Sequence, residues 1–256
     1  MLMQISSDHL LRNKLFLTLC LLCCVAAQAQ AGTLSVIGQT RWVQVAHVFD
    51  GDTFRTQNGE KVRLLGINTP EIAHGSQSSE AYGVQAKRRL TALISGQLVR
   101  LRTDREKRDK YGRTLAQVYL RDGRWINDIM VREGLAHVYS FAPNFYWIDA
   151  LLKSEAVARN DMRGLWKSSR WRIIDASDVR NEHIGQFHLL RGYVDAVQPW
   201  RFHLAKVTIT VPRISRQWFT PADLPKEGDK VIIAGMVRIS STGNLYLSIH
   251  SPHEIR

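Results

Sequence analysis

Beyond residue 24 the sequence has no cysteine: Cys20, Cys23 and Cys24 all sit in one apolar stretch near its start. If that stretch is removed, the remaining chain has no disulfide, no thiolate metal site and no cysteine nucleophile, so its core alone must stabilise it. Long apolar runs are also missing. The longest, Leu15 to Ala27, is about 13 residues, short of the roughly 20 a spanning helix needs. Histidines are present, but His47, His137, His183, His188, His203, His250 and His253 show no metal-ligand spacing. That disfavours histidine-metal chemistry.

What is present begins with an export signature. Arg12 and Lys14 precede the apolar run, and Ala-Gln-Ala steps follow at 27–29 and 29–31. A basic flank, a short greasy core and small residues at that spacing describe a cleaved secretory signal over residues 1–29. An uncleaved anchor is the alternative. The expectation is an exported protein, periplasmic or secreted, with no stable membrane association after cleavage. Hydrophobic residues at 45% and charged residues at 23% are a globular composition. The formal charge of +12 is uneven. Residues 30–170 carry 22 basic against 14 acidic side chains, and residues 171–256 carry 11 against 8. A basic field attracts polyanions.

Periodicity divides the chain in two. In residues 30–170, strands are predicted at Trp42–Val48, Thr53–Thr56 and Lys61–Ile67, the last two joined by the turn formers Asn58-Gly59. A two-residue turn there puts residue i opposite 117 − i, and Asp52 opposite Leu65. Ala86, Leu90, Leu93 and Ile94 fall on one helical face, and Gly96 stands where a cap belongs. Further strands are predicted at Leu98–Arg102 and Thr114–Leu120, then helices over Trp125–Glu133 and Tyr146–Met162. Five short strands with three helices predict an α+β fold built on a five-stranded OB-type barrel. Residues 171–256 read as a smaller, all-β, possibly OB-like region of unknown role, with strands at Leu189–Val197, Phe202–Val211, Lys230–Ile239 and Asn244–Ile249. No internal repeat is evident.

Two acid-bearing turns flank the first hairpin. Asp50-Gly51-Asp52 supplies two carboxylates, with Gly51 allowing a bulge, and Asn68-Thr69-Pro70-Glu71 supplies an amide, a hydroxyl and a third acid. Hard oxygen donors gathered at one hairpin end suit calcium or magnesium rather than zinc. Arg63 shares that end, and Arg113 closes the loop Asp109-Lys110-Tyr111-Gly112-Arg113. A cation, two guanidinium forks and a carboxylate to orient water are what phosphodiester hydrolysis requires. His74, in the loop after Glu71, is read as solvated. Tyr139 and Phe141 serve either as base-stacking surfaces or as core.

The segments VFDGDTF, VRLLGINTPE, DKYGRTLAQVY and LLKSEAVARNDMRGLW, spread over roughly residues 45–167, resemble the thermonuclease (staphylococcal nuclease-like) family. The resemblance implies a five-stranded OB barrel with three helices. It implies a calcium-dependent endonuclease that hydrolyses DNA and RNA and leaves 3′-phosphates; a monomer is expected. By motif, Asp52, Asn68 and the Thr69 carbonyl fall on metal positions, with Asp50 in support. Glu71 falls on the residue that activates water, Arg63 and Arg113 on the phosphate-binding arginines, and Lys110 and Tyr111 on substrate contacts. Asn68 departs from the aspartate usual in the family, which removes one charge from the metal site. Two alternatives follow: a weak or inactive nucleic-acid-binding module of the same fold, or an envelope or adhesion protein with a basic surface.

Overall fold

The computed structural model describes residues 38–72 and 82–256. The predicted export segment, its three cysteines and His74 lie outside the described residues.

The first barrel closes in the order β1 (Thr40–Val48), β2 (Thr53–Thr56), β3 (Lys61–Leu64), β6 (Thr114–Tyr119), β5 (Leu98–Arg102). Alternation aims Val43, Val45, Phe54, Val62, Leu64, Val99 and Leu101 inward, where they share one core. Helix α1 (Gly83–Ile94) adds the predicted stripe of Ala86, Leu90, Leu93 and Ile94. Helices α2 (Ile126–Arg132) and α3 (Ile148–Asn160) add Ile126, Met130, Ile148 and Leu151.

Two details of the first hairpin differ from expectation. Thr56 N–H donates to the Glu60 carbonyl at 2.9 Å, so the loop has three residues, with Gly59 at φ +82°. A left-handed glycine in the third loop position adds a bulge. The register is therefore one residue shorter than expected: Thr53 lies opposite Arg63, and the Asp52 carbonyl accepts from Leu64 N–H at 2.8 Å. The strand predicted to run to Ile67 also breaks at Leu65-Gly66, where Gly66 adopts φ +84°. A separate two-residue strand follows, β4 (Ile67–Asn68), which pairs with β7 (His137–Val138).

The C-terminal region is a second barrel. After β8 (Ile174–Asp175), strand β9 (Phe187–Gln198) pairs with both β10 (Arg201–Leu204) and β12 (Lys230–Ile239). β11 (Val207–Thr210) and β13 (Leu245–Ser248) complete the ring β9-β10-β11-β13-β12. The predicted strand 202–211 is thus a hairpin, broken where Ala205 turns at φ +49°. Both rings follow one order, first-second-third-fifth-fourth, with the third and fifth strands parallel. Residues 39–256 form one compact unit. A shared core of Ala158, Leu165, Trp166, Trp171, Leu189 and Ala234 joins the barrels. No described helix is long and apolar enough to cross a membrane.

Candidate active site

Close packing brings the two acidic turns together. A Cβ on Gly51 would lie 2.6 Å from the Ala86 Cβ and 2.8 Å from Thr69 Cγ2. Only glycine lets the Asp50–Asp52 turn press between α1 and the Thr69 turn. What position 51 demands of glycine is the absence of a side chain rather than a positive φ.

Asp52 is then buried, and its Oδ2 accepts both the Thr69 N–H and the Thr69 hydroxyl at 2.9 Å. Its Oδ1 accepts the Thr53 hydroxyl at 3.0 Å. Arg63 bridges the two turns: Nη1 is 3.0 Å from Asp52 Oδ2, and Nη2 donates to Asn68 Oδ1 at 2.8 Å. Asp50 Oδ1 accepts the Asp52 N–H at 3.0 Å. Burial, with the Asp52 carboxylate beside it, pushes the Asp50 carboxyl up to about 6.

The amide at 68 has a neighbour that accounts for it. Asn68 pairs across the short β4–β7 ladder with His137. His137 Nδ1 faces the Val138 carbonyl at 3.2 Å, and a carbonyl only accepts, so Nδ1 carries the proton. Nε2 then offers a lone pair to Asn68 Nδ2 at 3.4 Å. Nδ2 also faces the Thr69 carbonyl at 3.4 Å. An aspartate here would set a carboxylate against two acceptors. Protonating His137 is no remedy, because burial drives it down to about 3. Its ring lies 4.3 Å from Phe187 and 5.1 Å from Trp171. Both aromatics come from beyond residue 170, so the second barrel packs directly behind the Asn68 strand.

Arg63 and Asn68 open onto a cleft of about 590 Å³. Arg113, Lys110 and Tyr111 line the same cleft. Arg113 is set by Asp109, whose carboxylate accepts the Arg113 backbone N–H at 2.9 Å and Nε at 2.7 Å. The guanidinium holds the Asp109 carboxyl below the usual carboxylate range, although burial opposes it. Asp109 also accepts the Tyr111 N–H at 3.0 Å. Asp109 is a positioning residue that sequence reading passed over; its signal is an aspartate two and four residues before the N–H groups it caps. Tyr111 is 72% exposed, with Lys110 Nζ 5.0 Å and the Arg113 guanidinium 5.5 Å from its ring. Tyr139 and Phe141 are exposed cleft walls rather than core.

Of the predicted residues, Asp50, Asp52, Arg63, Asn68 and Thr69 form one network. Arg113, Lys110 and Tyr111 face the cleft with Arg63. Glu71 is exposed and is not among the cleft-lining residues. Its carbonyl packs on α1, where a Cβ on Gly83 would come within 2.7 Å of it. Among the described residues no group of three or more His, Cys, Asp or Glu is placed to hold an ion. The available donors are instead mixed oxygens from Asp52, Asn68 and Thr69 beside Asp50. That chemistry fits a hard divalent cation. Two adjacent carboxylates against the single guanidinium of Arg63 leave negative charge for such an ion to balance.

Comparison with known proteins finds similarity to nucleases over the first barrel. The model of the staphylococcal nuclease homologue family matches residues 61–168. The endonuclease YncB of Bacillus subtilis (strain 168) is 36% identical over 149 residues, 56% of this chain and 70% of that protein. The thermonuclease of Staphylococcus intermedius is 35% identical over 126 residues, 48% of this chain and 74% of that protein. An uncharacterised endonuclease of Escherichia coli O157:H7 is 35% identical over 129 residues, 49% of this chain and 77% of that protein. The family match ends just before β8. With its barrel order, its two joined turns and these relatives, the chain belongs to the staphylococcal nuclease homologue family.

Proposed function

We propose that the protein is an exported, divalent-cation-dependent nuclease that hydrolyses phosphodiester bonds of DNA and RNA. One observation carries the reading. The cleft is lined by four cations, Arg63, Arg108, Lys110 and Arg113, against two acids, Glu106 and Asp109, and Asp109 is already paired with Arg113. Such a cleft favours a polyanion.

Asp52, Asn68 and the Thr69 carbonyl would hold the ion, calcium by their oxygen character, with Asp50 in support. When bound, the ion supplies Lewis-acid charge to a phosphate oxygen. Arg63 and Arg113 grip the other phosphate oxygens, and Arg113 stabilises the charge that grows as phosphorus becomes five-coordinate. Glu71, exposed and outside the cleft lining, would have to turn its carboxylate toward the phosphate to orient the attacking water and take its proton. The new oxygen–phosphorus bond forms as the bond to the 5′-oxygen breaks. That oxygen takes a proton from solvent in the open cleft, and a 3′-phosphate remains. Lys110 and Tyr111 hold the neighbouring nucleotide.

A second reading has its own observation: Arg63 already occupies oxygens of both Asp52 and Asn68, and position 68 lacks the family's usual charge. That combination suits a binding module without turnover. Mature protein incubated with plasmid or single-stranded RNA, in calcium or in chelator, separates the two. Calcium-dependent cleavage supports the enzyme; a gel shift with no cleavage under any divalent cation supports the module. Export is tested by the N-terminal mass of protein recovered from the periplasm or medium. A mass that retains residues 1–29 rules out cleavage of that segment.

A further inference from the structure

We propose that the outer face of β10, β11, β13 and β12 is a second binding surface, a track for single-stranded polynucleotide flanking the scissile bond, entered from the catalytic cleft at Arg238. This takes the nuclease reading as its starting point and gives the second barrel a substrate role.

The alternation of β12 defines the entrance. Ile233 and Val237 point into the second barrel and are fully buried. Facing the other way, Ala234 belongs to the core shared with the first barrel, and Ile232 packs against it. The next two residues on that outer face, Met236 and Arg238, leave the interface and are exposed. Met236 pairs with Phe187, which stacks on His137 at 4.3 Å. Two residues after His137 comes Tyr139, a wall of the cleft. Arg238 therefore emerges at the rim where interface becomes cleft. Burial and the nearby Glu254 carboxylate raise the Tyr139 phenol, and Arg63, Arg238 and Lys110 act against them, which places Arg238 within electrostatic reach of that cleft wall.

From this rim the strand registers run outward in rows. Arg238 lies opposite Tyr246, Tyr246 beside Thr208, and Thr208 opposite His203. At about 4.8 Å per strand the row spans roughly 15 Å. The adjacent row is Ser248, Thr210 and Arg201. These side chains point away from the barrel, because their neighbours Val237, Leu247, Val207, Ile209, Phe202 and Leu204 are buried within it. The face thus offers a guanidinium at each end and hydroxyls between. Asp195, across from His203 on β9, marks its far edge. Among the described residues neither Arg238 nor Arg201 makes an ion pair, whereas Arg63, Arg113 and Arg191 each do. Unpaired guanidiniums and hydroxyls continuous with an aromatic-walled, cationic cleft match a phosphate backbone leaving that cleft.

The test is fluorescence anisotropy on the whole mature protein in chelator, so that binding is read without hydrolysis. The probes are oligothymidylates of roughly 4 and 16 nucleotides, spanning typical site sizes for this kind of barrel. Wild type should hold the longer probe more tightly. Arg238→Ala should weaken the long probe about tenfold and lower the salt slope by about 1, with the short probe unchanged. Arg238→Lys should recover much of the loss, and Arg201→Ala, at the far end, should also weaken only the long probe. Wild-type affinity independent of length would overturn the track. So would Arg238→Ala and Arg201→Ala both leaving the long probe's affinity and salt slope unchanged. The nuclease reading is scored separately, by hydrolysis with divalent cations. Length-dependent binding without any hydrolysis leaves the track standing and removes the enzyme.

Discussion

At the residue scale, Arg113 and Asn68 carry the sharpest tests of the proposed chemistry. Arg113 faces the cleft from a position fixed by Asp109 at both its backbone and its guanidinium. Arg113→Ala should lower kcat by about 10²- to 10³-fold, the loss typical of one transition-state donor, with the melting temperature nearly unchanged. Asp109→Ala frees the same guanidinium without removing it. A smaller loss is expected, with KM rising as kcat falls; kinetics like wild type would deny Asp109 its positioning role. Asn68 sits between Arg63 and the buried, neutral His137. Asn68→Asp should tighten calcium binding in a calorimetric titration, because ligand charge sets affinity at such sites. It should also lower the melting temperature without calcium, since the new carboxylate meets two acceptors. An unchanged titration means residue 68 is no ligand.

At the scale of elements, the site depends on two short pieces that strand patterns undervalue. One is the Asp50–Asp52 turn, wedged against α1 and Thr69 with no room for a Cβ. Gly51→Ala should destabilise by roughly 1–3 kcal/mol, the usual cost of overpacking, and weaken calcium binding as the turns part. Full calcium affinity in a folded Gly51→Ala protein would show that the wedge does not set the site. The other piece is β4–β7, two residues on each side, which gives Asn68 its partner. The neighbouring Val138 N–H donates to the buried Glu155 carboxylate at 2.7 Å. Glu155 in turn pairs with Arg256 at the end of the second barrel.

At the scale of residues 39–256, the two barrels share a core within one compact unit. The C-terminal segment that seals them holds Glu254, whose carboxylate accepts the His250 N–H at 2.6 Å. Burial pushes this carboxyl from its ordinary 4.5 up to about 7. With the folded value raised, the folded state binds the proton more tightly than the unfolded chain. The stabilisation is full below about 4.5 and is lost as pH climbs through about 7. Glu254→Gln removes the titration, so its melting temperature relative to wild type should rise between these pH values and level off above. A constant difference across that range would exclude Glu254 as the source.

Local pattern made much of this legible in the sequence. The α1 stripe, the strands Thr53–Thr56, Leu98–Arg102 and Lys230–Ile239, and the two oxygen-rich turns follow from periodicity and turn chemistry, which act between near neighbours. Other features depend on which distant segments meet. Gly59 shifted the hairpin register because a three-residue loop and a two-residue loop both suit Asn-Gly. His137 gave no sign in the sequence of its role, because its partners Asn68, Trp171 and Phe187 meet only when β4, β7 and the second barrel pack together. The common strand order of the two barrels was equally hidden, since topology is set by which inward faces bury one another and many unrelated apolar sequences satisfy that. The sequence by itself determined the donors and cations of the site; the tertiary structure alone decided their partners, because contact between remote residues comes from the packing of whole elements.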